Sequence, residues 1–167
     1  MKTFASTQHG ITLIELMIVI TILSILLFIG TSLTRAWIDR SQVTNTLNII
    51  SNSVQQAKVM ALRNPENQPL SQTAVHLCLE SSTNTLHIVR PKISTSSACD
   101  LSSSDNVVLQ STALASGISI QQSGNAFNCL AFNAAGVVVS SGDPCASQRQ
   151  LRFTVSKHNE TADITLM

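Results

Sequence analysis

The chain has 167 residues, a length suited to one domain. Charged residues make up only 11% and hydrophobic residues 44%, which excludes a disordered chain. A formal net charge of +1 gives no basic footprint for a dedicated nucleic-acid binder, and 4% aromatic residues with no Tyr exclude an aromatic platform for bases or sugars.

From Ile11 to Ile29 the only polar side chains are Thr12, Glu15, Thr21 and Ser24. As a helix these nineteen residues span roughly 28 Å, close to a bilayer core. A cleaved secretory signal has a shorter apolar stretch, a more basic leader than one carrying Lys2 alone, and no acid. A carboxylate within a bilayer costs about 2.5 to 3.5 kcal/mol, so Glu15 is a functional candidate. Gly10-Ile11-Thr12-Leu13-Ile14-Glu15, ahead of the apolar run, resembles residue for residue the processing site of type IV prepilins. The resemblance implies cleavage after Gly10 by a prepilin peptidase and N-methylation of Ile11, which stands where the family usually has Phe. It also implies that Glu15 neutralises the mature amino terminus of a neighbouring subunit during assembly, an attraction strengthened by low dielectric. Loss of residues 1–10 removes Lys2 and leaves a formally neutral mature chain.

The helical period continues past the apolar run. Val43, Leu47, Ile50, Val54, Ala57 and Ala61 recur at spacings of four and three, which places them on one helix face. The opposite face carries Asn45, Asn48, Asn52, Gln55, Gln56 and Lys58. Arg63-Asn64-Pro65 should end the helix, because the residue before a proline avoids the helical region. One helix is therefore expected from Ile11 to Asn64, with a bend at Gly30, Thr31 and Ser32. Trp37, just past the apolar run, fits an interfacial belt or an assembly contact.

From Thr73 the period changes to two. Strands are expected at Thr73–Leu79, Leu86–Arg90, Val107–Gln110, Ile118–Gln121, Phe127–Phe132, Val137–Ser140, Leu151–Val155 and Ile164–Met167. Ser-rich stretches such as Ser94–Ser97 and Ser102–Asn106 read as loops. These strands form one antiparallel sheet or two, and the apolar helix stripe needs such a face to cover it. Cys78, Cys99, Cys129 and Cys145 allow three pairings and lack metal or redox spacing. In an oxidising compartment the sequential pairs Cys78–Cys99 and Cys129–Cys145 would each close a loop worth about 3 kcal/mol. His76 and His87 would face each other across a hairpin if the turn is the two residues Ser81-Ser82, whereas a four-residue turn would break the pairing; no carboxylate lies close in sequence to complete a metal or catalytic site. No GxSxG elbow occurs either. The chain is read as the substrate of an enzyme rather than as an enzyme, with no cofactor and no metal.

The architecture resembles that of pilins: α+β, with a long N-terminal helix, transmembrane in its first half, packed on an antiparallel β-sheet or sandwich head. The expected divisions are a leader at 1–10, a transmembrane and assembly half-helix at 11–33, a periplasmic half-helix at 34–64 and a β-rich head at 65–167. Within that superfamily, Gln56-Ala57-Lys58-Val59-Met60-Ala61-Leu62-Arg63-Asn64, Val75-His76-Leu77-Cys78 and Phe132-Asn133-Ala134-Ala135-Gly136 resemble the FimT, FimU and GspH branch. The likeness implies a minor type IV pilin, most like FimU, that primes a pilus and sits at its tip. Its partners would be the prepilin peptidase, membrane lipid before assembly, the inner-membrane assembly platform, and other minor and major pilins. Its location would be the inner membrane, single-pass with a periplasmic head, and then the pilus tip. A GspH-like minor pseudopilin of type II secretion is the nearest alternative. A FimT-like DNA-binding pilin is one of a different class: Arg149, Arg152 and Lys157 offer weak, salt-sensitive phosphate contacts, but the branch's Gly-Arg-x-Arg element is absent. These three are read instead as solvated edge-strand residues, and DNA is not an expected partner.

Overall fold

The computed structural model describes residues 12–92, 99–147 and 150–166, and within the helix it leaves the side chains of 28–33 undescribed. The chain divides into two compact units, Met1–Ile38 and Asp39–Met167. One helix, α1, runs over Leu13–Arg63 and belongs to both. Its start is set by Thr12, whose hydroxyl accepts the backbone N–H of Glu15 at 3.3 Å; Thr12-x-x-Glu15 is the spacing of a capping box. Its end is set by Asn64, which adopts a positive φ of 34° and exchanges two 2.8 Å hydrogen bonds with the backbone of Gln68. The expected bend residues lie among the undescribed side chains, and α1 is continuous through them.

Eight strands follow: β1 Thr73–Glu80, β2 Thr85–Pro91, β3 Asn106–Ala113, β4 Ser119–Gln122, β5 Asn125–Ala126, β6 Cys129–Asn133, β7 Leu151–Lys157 and β8 Glu160–Leu166. They form two four-stranded antiparallel sheets, ordered β3-β2-β1-β6 and β5-β4-β7-β8. All six residues of the helix stripe are buried, and they share one apolar cluster with residues of both sheets. Val75, Leu77, Leu86, Ile88, Leu130 and Phe132 come from the first sheet; Ile120, Leu151, Phe153, Val155 and Leu166 come from the second. Thus the 3.6-residue period of the helix and the two-residue period of the strands meet in a single core.

The first sheet is covered on its other face as well. His76 pairs in register with Val89 and Ala131, and Cys78 with His87 and Cys129. This face carries both disulfides, Cys78–Cys99 and Cys129–Cys145, which hold the loop segments containing Cys99 and Cys145 against it.

Two expectations change. Phe127–Phe132 is not one strand, because the chain crosses between sheets there: β5 belongs to the second sheet and β6 to the first. Phe127 sits at the crossing, buried edge-on against Phe153 at 5.4 Å. Val137–Ser140 makes only the isolated bridge Phe132↔Val138. Asn133 takes over the turn, its side-chain oxygen accepting the N–H groups of Ala135 and Val137, after which the chain leaves to carry Asp143 and Cys145. Of the two turns left open after β1, the four-residue one forms: Glu80 pairs with Thr85, so His76 and His87 do not face each other. Ser94–Ser97 and Met167 lie outside the described residues.

Candidate functional site

Gly10 and Ile11, the expected processing residues, lie outside the described residues. Just beyond them the helix begins, with Glu15 in its capped first turn. The only described contact of Glu15 beyond regular helix bonding is that backbone cap, so its carboxylate is available to a partner. The apolar side chains of Leu13, Ile14, Leu16–Ile20, Ile22, Leu23 and Ile25–Leu27 are 51–78% exposed in the single chain. Apolar surface of this extent needs lipid or protein to cover it. Thr21 and Ser24 do not interrupt it, because their hydroxyls donate to the carbonyls of Ile18 and Ile20. Among the described residues no helix is long and apolar enough to cross a membrane; the expected span of 11–33 begins and ends outside the side chains described. Trp37 is exposed.

In the head, one polar cluster was not legible beforehand. Asp143 accepts from the Thr73 hydroxyl at 2.5 Å and His76 Nε2 at 3.1 Å through Oδ2, and from the Cys145 N–H at 2.8 Å through Oδ1. Burial works to raise its pKa, but the hydrogen bonds from His76, Thr73 and the Cys145 amide outweigh it and bring the carboxyl from 3.8 down to about 2. Asp143 thereby ties the Cys145 segment to β1. His76 is buried, and its Nδ1 has no hydrogen-bond partner. His87 is engaged separately, with the Ser111 hydroxyl at 2.8 Å and Glu80 at 3.4 Å. The Thr83 hydroxyl, opposed by burial and assisted by His87 and Ser82, holds the Glu80 carboxyl below its ordinary range.

Two groups of potential ligand atoms lie within 4.8 Å of one another, Cys99-Cys129-Cys145 and His76-Asp143-Cys145. Every sulfur in them is committed to a disulfide, and a metal takes the thiolate. The groups therefore describe two adjacent disulfides beside an imidazole.

The basic residues considered for DNA contact are engaged in ion pairs where they are described. Arg149 lies outside the described residues. Arg152 pairs with Asp163 at 2.9 Å, and it stands on β7, an interior strand rather than an edge. Lys157 reaches Asp39 at 3.6 Å and donates to Gln42, with its side chain only 11% exposed. His158 bonds the same Asp39 at 3.0 Å, so the β7–β8 turn is fastened to α1 by one carboxylate.

Residues 5–31 match the prokaryotic N-terminal methylation motif. This is the type IV pilin-type signal, and it belongs to pilins and pseudopilins. It spans Gly10, Ile11 and Glu15, and it implies processing by a prepilin peptidase and assembly with other pilins. No curated protein and no solved structure matches the chain.

Proposed function

We propose that the chain is a minor type IV pilin of the FimT/FimU/GspH branch, most like FimU, acting as a structural and priming subunit of the pilus tip complex and not as an enzyme. The observation that carries the reading is the methylation motif joined to a helix whose following residues expose an almost unbroken apolar surface around one acid, Glu15. Such a helix rests in lipid before assembly, spanning the inner membrane over 11–33 with the head in the periplasm. It then exchanges lipid for neighbouring helices. Cleavage after Gly10 creates an amine on Ile11, and Glu15 of one subunit meets the amine of the next, which sets the axial register. The branch assignment draws support from the Asn133–Gly136 turn, where a Cβ on Gly136 would stand 3.3 Å from the Lys58 carbonyl. Two of the three stretches resembling that branch therefore pack against each other.

Intact mass of the protein purified from its own membranes tests the processing step: loss of residues 1–10 with a methyl on Ile11 is expected. An uncut chain, or one cut elsewhere, removes the assembly reading. The Glu15→Ala variant should still insert in the membrane yet enter filaments poorly, and unchanged filament counts would refute the charge pairing. Loss of pili on deletion supports the pilus, whereas loss of secretion with normal pili would assign the chain to a type II system.

A further inference from the structure

The two disulfides are neighbours in an arrangement that does more than fasten two loops. Cys78 and Cys129 are direct partners across β1 and β6, and each is bonded to a cysteine outside the sheet. The sulfurs of Cys99, Cys129 and Cys145 lie within 4.8 Å of one another, near the separation from which one thiolate attacks another disulfide. Their surroundings differ. Cys78 and Cys145 are each 2% exposed, while Cys99 and Cys129 are partly buried, so each bridge has one end nearer the solvent. The Cys78–Cys99 bridge lines a groove of about 420 Å³ with Leu79, Glu80, Asp100, Leu101 and Ser102. Cys99 is the less buried end of this bridge.

We propose that Cys99, at the groove, is a thiol–disulfide exchange site, through which an external dithiol opens the Cys78–Cys99 bridge and then, by internal transfer, the Cys129–Cys145 bridge. A dithiol thiolate attacks the Cys99 sulfur, and the Cys78 sulfur leaves with the bond's electron pair and takes a proton. The second thiol of the reagent then displaces Cys99 as a thiolate, and the reagent departs as a disulfide. The Cys99 thiolate attacks the Cys129 sulfur; the Cys99–Cys129 bond forms, the Cys129–Cys145 bond breaks, and the electron pair leaves on Cys145. Cys129 is the sulfur attacked because it is the less buried end of its bridge, which leaves Cys145, 2% exposed, as the departing sulfur. The Cys145 thiolate takes its proton from solvent. A second dithiol then opens Cys99–Cys129, again at Cys99. Run backwards with an external disulfide, the same steps install both bridges through Cys99. The inference rests on sulfur geometry and is independent of the assembly reading.

The test uses the full chain in detergent. A Cys78→Ser variant, purified without reductant, presents a Cys99 thiol beside an intact Cys129–Cys145 bridge. Acid quenching, alkylation and non-reducing peptide mapping should find Cys99–Cys129 with a free Cys145 in roughly a tenth or more of the molecules, because exchange is reversible. Finding only Cys129–Cys145 with a free Cys99 overturns the proposal. If the variant does not fold, a pulse of limiting dithiothreitol on the unsubstituted chain gives a second readout. There Cys78–Cys99 should open first, and the crossed Cys99–Cys129 species should appear before Cys129–Cys145 is lost. Opening of the two bridges independently, with no crossed species, overturns it equally.

Discussion

Replacing Asp143 by Asn should remove a specific part of the protein's acid sensitivity. The carboxylate is 12% exposed and accepts hydrogen bonds from Thr73, His76 and the Cys145 amide, all of which favour its anion. Its pKa in the folded head is about 2, below the ordinary 3.8. A depressed folded pKa contributes stability that is fully present above 3.8 and is lost as the pH falls from 3.8 towards 2. At about 1.4 kcal/mol per unit the shift corresponds to roughly 2 kcal/mol, and partial screening by solvent brings the expected contribution to about 1 to 2 kcal/mol. The assay is urea unfolding of the full chain in detergent with both disulfides intact, followed by far-ultraviolet circular dichroism at pH 5 and at pH 2.5. Glu80 and Asp100 also have lowered pKa values and remain in both proteins, so the difference between wild type and Asp143→Asn isolates the one group. Because pH 2.5 still lies above the folded pKa, about two thirds of this is lost between the two pH values, and wild type should lose about 1 kcal/mol more than the variant. Equal losses in the two proteins would refute the reasoning.

Other perturbations address the core, the turn and the processing site. Ile50 is completely buried in the helix stripe, so Ile50→Ala should cost about 2 to 5 kcal/mol in urea unfolding, and a cost below about 1 would contradict its place in the core. Gly136 has a φ of +69° and sits against the Lys58 carbonyl, so Gly136→Ala should lower stability by about 1 to 2 kcal/mol, with an unchanged melting midpoint as the contrary result. Gly10→Ala should leave the leader attached; a mature mass beginning at Ile11 would sink the processing assignment.

The head was legible wherever one period ran long enough. The stripe from Val43 to Ala61 is buried at every position named, and Asn64-Pro65 ends the helix because Asn tolerates a left-handed φ and the residue before proline avoids the helical one. Strand boundaries failed where tertiary demands intervened. Phe127 looks like the start of a strand, but the crossing between sheets is decided by its contact with Phe153, a partner in a different hairpin. Ala162 is too small to mark the inner face of β8, so the strand begins earlier than the apolar pattern suggests. The Asp143 cluster was hidden because its members are separated by up to 70 residues in the chain. The Asp143-Pro144-Cys145 run gave a weak signal of a turn and none of its partner.

The Asp39 fastening joins residues 119 positions apart in sequence, His158 at one end and the helix at the other. Leu166, almost the last residue, belongs to the same apolar cluster as Val43. A domain closed by such distant contacts pays loop entropy before its core rewards it, and contacts of this separation slow folding. No N-terminal portion of the head contains both sides of this closure. A ribosome releasing the chain, or a channel passing it amino end first, would therefore handle the head unfolded until β7 and β8 had emerged, and truncation within the final hairpin would disable the whole head rather than trim it.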